Sequence, residues 1–147
     1  MNSVTAALGT KTLTLQGTFV GDYTVTPVKL TVDFLVLNSA TGKVHWTNNV
    51  VFNITTTING TVTSRDVTVT GRFYDSDNGY VDITTPTPLH FVGMDTSPSS
   101  GVLLLTGANN TKIRLTALTN VTYRVEGDTI GSGTYNYNSG ALNWTAM

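Results

Sequence analysis

Residues 97–144, SPSSGVLLLTGANNTKIRLTALTNVTYRVEGDTIGSGTYNYNSGALNW, form the stretch that decides the fold. Short apolar or alternating runs stand between clusters of glycine, asparagine and serine. This spacing is typical of a β-meander, in which each strand turns back beside the one before it. The rest of the chain also consists of short apolar or alternating runs separated by turn residues, so the whole protein is predicted to be a β-meander.

Two parts of this stretch predict particular arrangements. Residues 102–106 are apolar without alternation, which predicts a strand buried on both faces. Folding the following hairpin about Asn120 places Arg114 opposite Glu126, which is the only glutamate in the chain. We therefore predict a cross-strand ion pair, worth roughly 0.2–1 kcal/mol.

The composition favours strands along the whole chain. Threonine is abundant, whereas alanine, glutamate and lysine are sparse, and β-branched side chains pack better on a pleated sheet than on a helix. The protein is therefore predicted to be all-β, with about ten short, mostly antiparallel strands in a meander-type sandwich or barrel and no substantial helix. Residues 1–10 are predicted to be a flexible N-terminal arm, and residues 11–147 a single β domain.

Two segments in the middle of the chain interrupt the regular pattern. Asn59-Gly60 is the strongest short hairpin signal. A turn centred on these two residues sets Val62 opposite Thr57, so the apolar phases disagree unless a bulge lies near residues 64–66. Residues 85–88, Thr-Pro-Thr-Pro, lack two backbone donors and are predicted to form a sheet edge or a crossing segment.

The bulk properties exclude several classes of protein. Charged residues are 12% of the 147, against a usual roughly 25%, and the net charge of −1 with scattered basic residues argues against nucleic-acid binding. The absence of cysteine excludes disulfides, thiol catalysis and cysteine-ligated zinc. No apolar run has the ~18–20 residues of a transmembrane segment. No signal peptide is visible, and we favour a mature or trimmed chain over a cytosolic protein.

No catalytic motif is found. His45 and His90 are the two histidines, and neither stands in a metalloprotease, nucleophile-elbow or triad pattern. A single glutamate removes the usual glycosidase pair, although a pair of aspartates is left open. The chain is therefore predicted not to be an enzyme.

The sequence Asp75-Ser76-Asp77-Asn78-Gly79 is the sharpest local motif. Calcium takes six to eight oxygen ligands, and alternating acidic residues before a glycine turn supply several from one loop. The ordinary alternative is an Asx-rich hairpin turn without metal. Calcium is the one candidate cofactor, and its predicted ligands are Asp75, Asp77, Asn78 and Asp82.

Several aromatic residues are candidates for a platform on which sugar rings stack. Aromatic residues also serve in cores and cross-strand pairs, and alternation favours an inward position for Tyr135, Tyr137 and Trp144. Tyr74 belongs to the wider aromatic set. The predicted glycan ligands are Trp46, Tyr80, Tyr135 and Tyr137.

Three segments together carry a resemblance to a known group of proteins. They are GRFYDSDNGYVDITTPTPL at 71–89, PSSGVLLLTGANNTKIRLTAL at 98–118 and YRVEGDTIGSGTYNYNSGALNW at 123–144. The chain resembles the C-terminal β-domain of uncharacterised bacterial, chiefly proteobacterial, lipoproteins and secreted proteins. The resemblance covers about half of the chain and implies an envelope or extracellular setting without an activity.

The resemblance also bears on the last loop. In the relatives this segment is richer in aspartate, like a calcium loop of the D-x-D-G-D-G kind. Here Asp128 remains, Ile130 and Ser132 stand where further acids are expected, and Asn136 and Asn138 replace acids. The loop is therefore a weaker metal candidate than the turn at Asp75.

The sequence predicts a non-catalytic structural or binding module of the bacterial cell envelope, secreted, periplasmic or on the cell surface. Its expected partners are other surface proteins, glycans or further copies of itself. The first alternative is a pilus-like filament subunit that assembles by strand addition, which the low charge and small polar N-terminal arm favour. The second alternative is a glycan-binding or glycan-active domain.

Overall fold

The computed structural model describes residues 3–8 and 11–144, and the side chains of residues 13–144. Ten strands account for most of this part of the chain. They are β1 (Ser3–Leu8), β2 (Lys11–Asp22), β3 (Val28–Asn38), β4 (Lys43–Asn59), β5 (Val62–Asp75), β6 (Gly79–Val92), β7 (Ser100–Thr106), β8 (Lys112–Thr119), β9 (Thr122–Asp128) and β10 (Tyr137–Asn143).

All ten strands belong to one antiparallel sheet in which spatial order equals chain order, so the predicted all-β meander is confirmed. The sheet stays open, with β1 and β10 at its edges; it is one layer in place of two packed sheets or a closed barrel. Turn signals fix hairpins between neighbours, but they do not determine whether the two ends of a meander meet.

The single turn of 3₁₀-helix at Ala108–Asn110 is the one helical element of the described residues. No helix among them is long and apolar enough to cross a membrane.

The predicted N-terminal arm contains β1. Its backbone pairs with β2 from Ser3 opposite Gln16 to Leu8 opposite Lys11. Residues 1, 2, 9 and 10 lie outside the described part of the chain. β1 covers about half of β2, which leaves the second half of β2 as an outer edge.

The two turn residues of the β4–β5 hairpin are Gly60 and Thr61. This turn is one position later than the predicted turn at Asn59-Gly60. Asn59 pairs with Val62, and Gly60 has a φ of 62°, which glycine adopts without steric cost. This register places Ile54 opposite Val67. The apolar phases of the two strands therefore match directly.

The bulge expected near residues 64–66 is accordingly wrong. The register shifts instead between Asn48 and Val51 on β4. There the backbone of β5 comes so close that a Cβ on Gly71 would stand 2.7 Å from the carbonyl oxygen of Asn49. The bulge in β4 therefore requires a residue without a side chain at position 71 of β5.

Residues 85–88 are part of the central strand β6, so their prediction as an edge or crossing segment is wrong. The strand tolerates Pro86 and Pro88 because its register with β7 is broken on both sides of Thr87, and its register with β5 shifts between Val67 and Gly71. Bulges are the places where a sheet accepts residues without a backbone donor.

Hydroxyl side chains complete the backbone hydrogen bonds at these irregular points. The hydroxyl of Thr85 accepts from the Val69 N–H at 2.7 Å and donates to the Val69 carbonyl at 2.9 Å. Thr47 does the same for Phe34, at 2.9 and 3.3 Å. At the β9–β10 bulge, Ser139 accepts a backbone N–H from β9 at 2.9 Å. Buried backbone groups are costly without partners, so part of the threonine content has this structural use.

The register sorts the side chains onto two faces, because cross-strand partners point to the same side of a sheet. Among the strand residues whose side chains the structure describes, one face, called the apolar face below, carries one acid and few cations. The other, called the polar face, carries most of the charged side chains of the strands. The apolar face includes Leu15, Phe19, Leu30, Phe34, Phe52, Val67, Phe73, Leu89, Leu105, Leu115 and Val125.

The single layer leaves little buried. Of the described apolar side chains, Val50, Val69 and Ala117 are buried, and residues 102–106 are half-buried, so their prediction as a fully buried strand is wrong. The chain exposes 9348 Å², whereas a compact monomer of its 15.7 kDa exposes roughly 7300 Å². About a fifth of the exposed area is therefore in excess of the area that a compact domain of this mass exposes.

Candidate functional site

The turn between β5 and β6 is organised by Asp75. Its Oδ1 accepts hydrogen bonds from the backbone N–H of Asp77 at 3.0 Å and of Asn78 at 2.9 Å, and from Asn78 Nδ2 at 2.8 Å. Its Oδ2 lies 2.8 Å from Nδ1 of His45. Asp77 forms an ion pair with Lys43. Burial raises the pKa of Asp75, but these hydrogen bonds and the charge of His45 outweigh it and hold the pKa below its usual value.

The fourth predicted calcium ligand stands apart from this turn. Asp82 is on the polar face, whereas Asp75 pairs with His45 on the apolar face. Arg72 binds Asp82 through two hydrogen bonds, from Nε at 2.7 Å and from Nη2 at 3.0 Å, and this guanidinium lowers the pKa of Asp82. The structure therefore brings together Asp75, Asp77 and Asn78 and places Asp82 elsewhere.

Three aromatic side chains form a row across the polar face. Trp46 of β4 is directly opposite Tyr74 of β5, which is directly opposite Tyr80 of β6. Their exposures are 36%, 38% and 41%, and neighbouring strands are roughly 4.8 Å apart. We call these three residues the aromatic row.

The aromatic row has polar neighbours and a shallow cavity beside it. Trp46 Nε1 donates to Asp33 Oδ1 at 2.7 Å, and the guanidinium carbon of Arg72 lies 3.9 Å from the ring centre of Tyr80. A cavity of ≈ 260 Å³ adjoins Trp46 and is lined by Gln16, Asp33 and Leu35, among others. Aromatic faces bordered by hydrogen-bonding groups suit the apolar faces and hydroxyl rims of sugars.

The other two predicted glycan ligands are not in this row. Tyr135 lies under Arg114, whose guanidinium carbon is 4.2 Å from the ring centre. Tyr137 pairs with Gly127 on the apolar side and is 54% exposed. Its predicted inward position is therefore wrong, whereas Trp144 stacks on Tyr123 with ring centres 4.3 Å apart.

A second cluster on the polar face surrounds Glu126. Arg114 on β8 and Arg124 on β9 both approach its Oε2, at 2.8 Å from Nη2 and 3.3 Å from Nε respectively. The predicted pairing of Arg114 with Glu126 is confirmed. The second arginine was not anticipated, although Arg124 stands two residues before Glu126 and must share its face.

The loop after β9 is built around Asp128, whose side chain is 1% exposed. Its carboxylate accepts the backbone N–H of Gly133 at 2.6 Å and of Ser132 at 3.0 Å. Burial raises the pKa of this carboxyl, but the backbone donors of Gly133, Ser132, Ile130 and Gly131 more than offset that effect and lower it. The acid that remains in this loop thus organises the backbone.

His90 Nδ1 lies 2.7 Å from Asp66 Oδ1 on the polar face. Across the part of the chain that the structure describes, no three carboxylate or imidazole side chains come together as a metal site would require. No family model, curated protein or solved structure matches the chain.

Proposed function

We propose that the chain is a non-catalytic, extracytoplasmic structural or binding module of the bacterial cell envelope that acts by packing its apolar face on a second copy of itself. The resemblance of segments 71–89, 98–118 and 123–144 and the low charge support the envelope setting. The open, single-layer sheet supports the mode of action, because its apolar face is half-exposed along most of its length.

The surface area favours a second copy as the occupant. The chain exposes about 2000 Å² more than a compact monomer of its mass. Two copies that each cover this amount bury about 4000 Å² in total, which is within the range of obligate dimers. Two sheets packed face to face lie about 10 Å apart, so their side chains would complete a two-layer core.

The charges on the apolar face do not oppose this packing, because they are satisfied within the chain. His45 contacts Asp75, and Lys43 pairs with Asp77. The guanidinium of Arg65 donates to the carbonyl oxygens of Gly93 and Asp95 at 3.3 Å. Covering this face therefore leaves these charges with partners.

Two adjacent residues of β2 provide a matched test. Phe19 and Val20 are each 56% exposed, Phe19 on the apolar face and Val20 on the polar face. Sedimentation velocity is expected to show a dimer of the unchanged chain and of Val20→Glu. Phe19→Glu is expected to weaken the dimer roughly 100-fold or more, because a symmetric interface loses two phenylalanine contacts.

Three results would overturn this proposal. They are a monomer at high micromolar concentration, equal effects of the two substitutions, and long polymers. Polymers would support the filament alternative, in which the exposed half of β2 or the outer edge of β10 receives a strand from a neighbour. Circular dichroism of both variants shows whether the sheet is intact.

Glycan binding is a second candidate function, and the aromatic row is the observation that favours it. Titration of the chain with soluble β-linked oligosaccharides is expected to change the fluorescence of Trp46. Tyr74→Ala should weaken this binding, because it removes the middle ring of the aromatic row. Tyr23→Ala is the control, because Tyr23 is 73% exposed in the β2–β3 connection. No fluorescence change with any oligosaccharide would count against this function.

A further inference from the structure

The polar face has a second cavity, of ≈ 400 Å³, over strands β7 to β9. Val102 and Leu104 form its apolar floor, and Thr116 and the two arginines next to Glu126 supply its polar groups. Two irregular segments form its walls. One is the β6 bulge at Pro86, and the other is the β9–β10 loop, which contributes Tyr135. We call this the arginine cavity.

Its size and lining fit a small-molecule site. Binding cavities usually measure about 300–1000 Å³ and combine apolar walls with a few convergent polar groups. The wall at Tyr135 is held firmly, because Asp128 anchors the preceding loop through its backbone N–H groups. Arg114 is fixed between Glu126 and the ring of Tyr135. The cavity is therefore preformed by residues with defined contacts.

The charge of the cavity is not balanced. Arg114 and Arg124 are two cations, and Glu126 is the one acid that contacts them. Arg124 Nε lies 3.3 Å from Glu126 Oε2, within ion-pair distance, but it makes no hydrogen bond and is shielded from solvent. A buried donor without a hydrogen-bond partner is uncommon in native proteins and calls for an explanation. The Arg124 side chain as a whole is 36% exposed, so the rest of its guanidinium is the part that an anion in the cavity can reach.

We infer that the arginine cavity binds a small organic carboxylate with a short apolar body. A carboxylate matches the planar fork of the Arg124 guanidinium and can accept two parallel hydrogen bonds from it. One net positive charge suits a monoanion. The floor at Val102 and Leu104 accommodates the apolar body, and Thr116 and Tyr135, which line the same cavity, each carry a hydroxyl that can donate to a carboxylate. This site is on the opposite face from the proposed dimer contact, so the two proposals stand independently.

The direct test is an NMR titration of the unchanged protein with propionate, with the uncharged propionamide as the ligand control. Propionate is expected to shift the Nε–H signals of Arg114 and Arg124 in a saturable manner and to leave Arg72, which pairs with Asp82, unchanged. Propionamide is expected to shift none of them. Equal shifts with both compounds, or no saturable shift with propionate, would overturn the inference.

Variants then locate the binding group. Arg124→Gln is expected to weaken propionate binding roughly 10- to 100-fold, the usual effect of losing a hydrogen bond to a charged group. Arg72→Gln is the matched control, since Arg72 is an arginine on the same face whose guanidinium is engaged by Asp82, and it should bind as the unchanged chain does. Tyr135→Phe keeps the ring over Arg114 and should weaken binding less. Equal affinities of Arg124→Gln and Arg72→Gln would assign the signal to another site.

Discussion

Arg114 donates two hydrogen bonds, from Nε at 3.0 Å and from Nη2 at 2.8 Å, to one oxygen of Glu126, directly across the β8–β9 hairpin. The Glu126 side chain is 11% exposed, and Arg124 shares the same oxygen. The pair is therefore more enclosed than an ordinary surface ion pair, and the one carboxylate contacts two guanidinium groups.

The first prediction concerns this carboxylate. Glu126→Gln is expected to lower the free energy of unfolding by about 1–3 kcal/mol, because it leaves two partly buried cations without their counter-charge. Urea denaturation measures the loss. In a double-mutant cycle, Arg114→Met in the Glu126→Gln background should cost less than in the unchanged chain, with a coupling of about 0.5–3 kcal/mol. Additive losses would show that the pair contributes little.

The pairing of Arg114 with Glu126 was predictable because it depends on local rules. Both strands alternate, and folding the hairpin about Asn120 gives the observed pairing, because a register shift between Ala117 and Thr119 compensates for the two-residue turn between Thr119 and Thr122. The β4–β5 hairpin was predicted less well, because Asn59-Gly60 permits two placements of the turn. Only the packing of Ile54 against Val67 across the strands distinguishes them. A register that depends on contacts across several strands is harder to predict than one set by a single turn.

For the candidate sites too, single residues were predictable from local sequence, whereas arrangements that depend on several strands were not. Trp46 and Tyr80 were predicted as ligands one at a time, but their alignment through Tyr74 depends on the registers of two hairpins. The use of Asp128 to gather backbone donors was missed because the sequence shows only an isolated acid in a glycine-rich loop. The two glycines and the serine after it are the signal for such a turn, since they permit the backbone to fold around a carboxylate.

The second prediction concerns the β6 bulge. Thr85→Val keeps the shape of the side chain but removes the hydroxyl that serves both backbone groups of Val69, which is 8% exposed. The expected loss in the free energy of unfolding is about 1–3 kcal/mol for the unsatisfied groups. Thr84→Val makes the same exchange at an exposed position and should change stability little. Equal effects of the two variants in urea denaturation would contradict this use of Thr85.

The third prediction concerns calcium at the β5–β6 turn. Both carboxylate oxygens of Asp75 already have partners within the chain, and Asp82 is on the other face. We therefore expect millimolar calcium, which saturates typical extracellular sites, to leave the Tm unchanged. A rise in Tm that Asp75→Asn abolishes would show that His45 gives way and that the turn binds the ion as the sequence predicted.

The last prediction concerns the pH dependence of stability. In the folded chain the pKa of Asp128 is below its usual value, so the folded state favours the ionised carboxylate. The stabilisation is therefore complete above the unfolded pKa of about 3.9 and is lost as the pH falls through the lower folded value. Asp128→Asn should have a lower Tm than the unchanged chain from pH 7 to about pH 5, where a free aspartate remains ionised. The difference should shrink as the pH is lowered below the unfolded pKa, because the protonated carboxyl resembles the amide. Thermal unfolding by circular dichroism across this range measures the difference, and a gap that stays constant with pH would show that the carboxylate charge does not stabilise the loop.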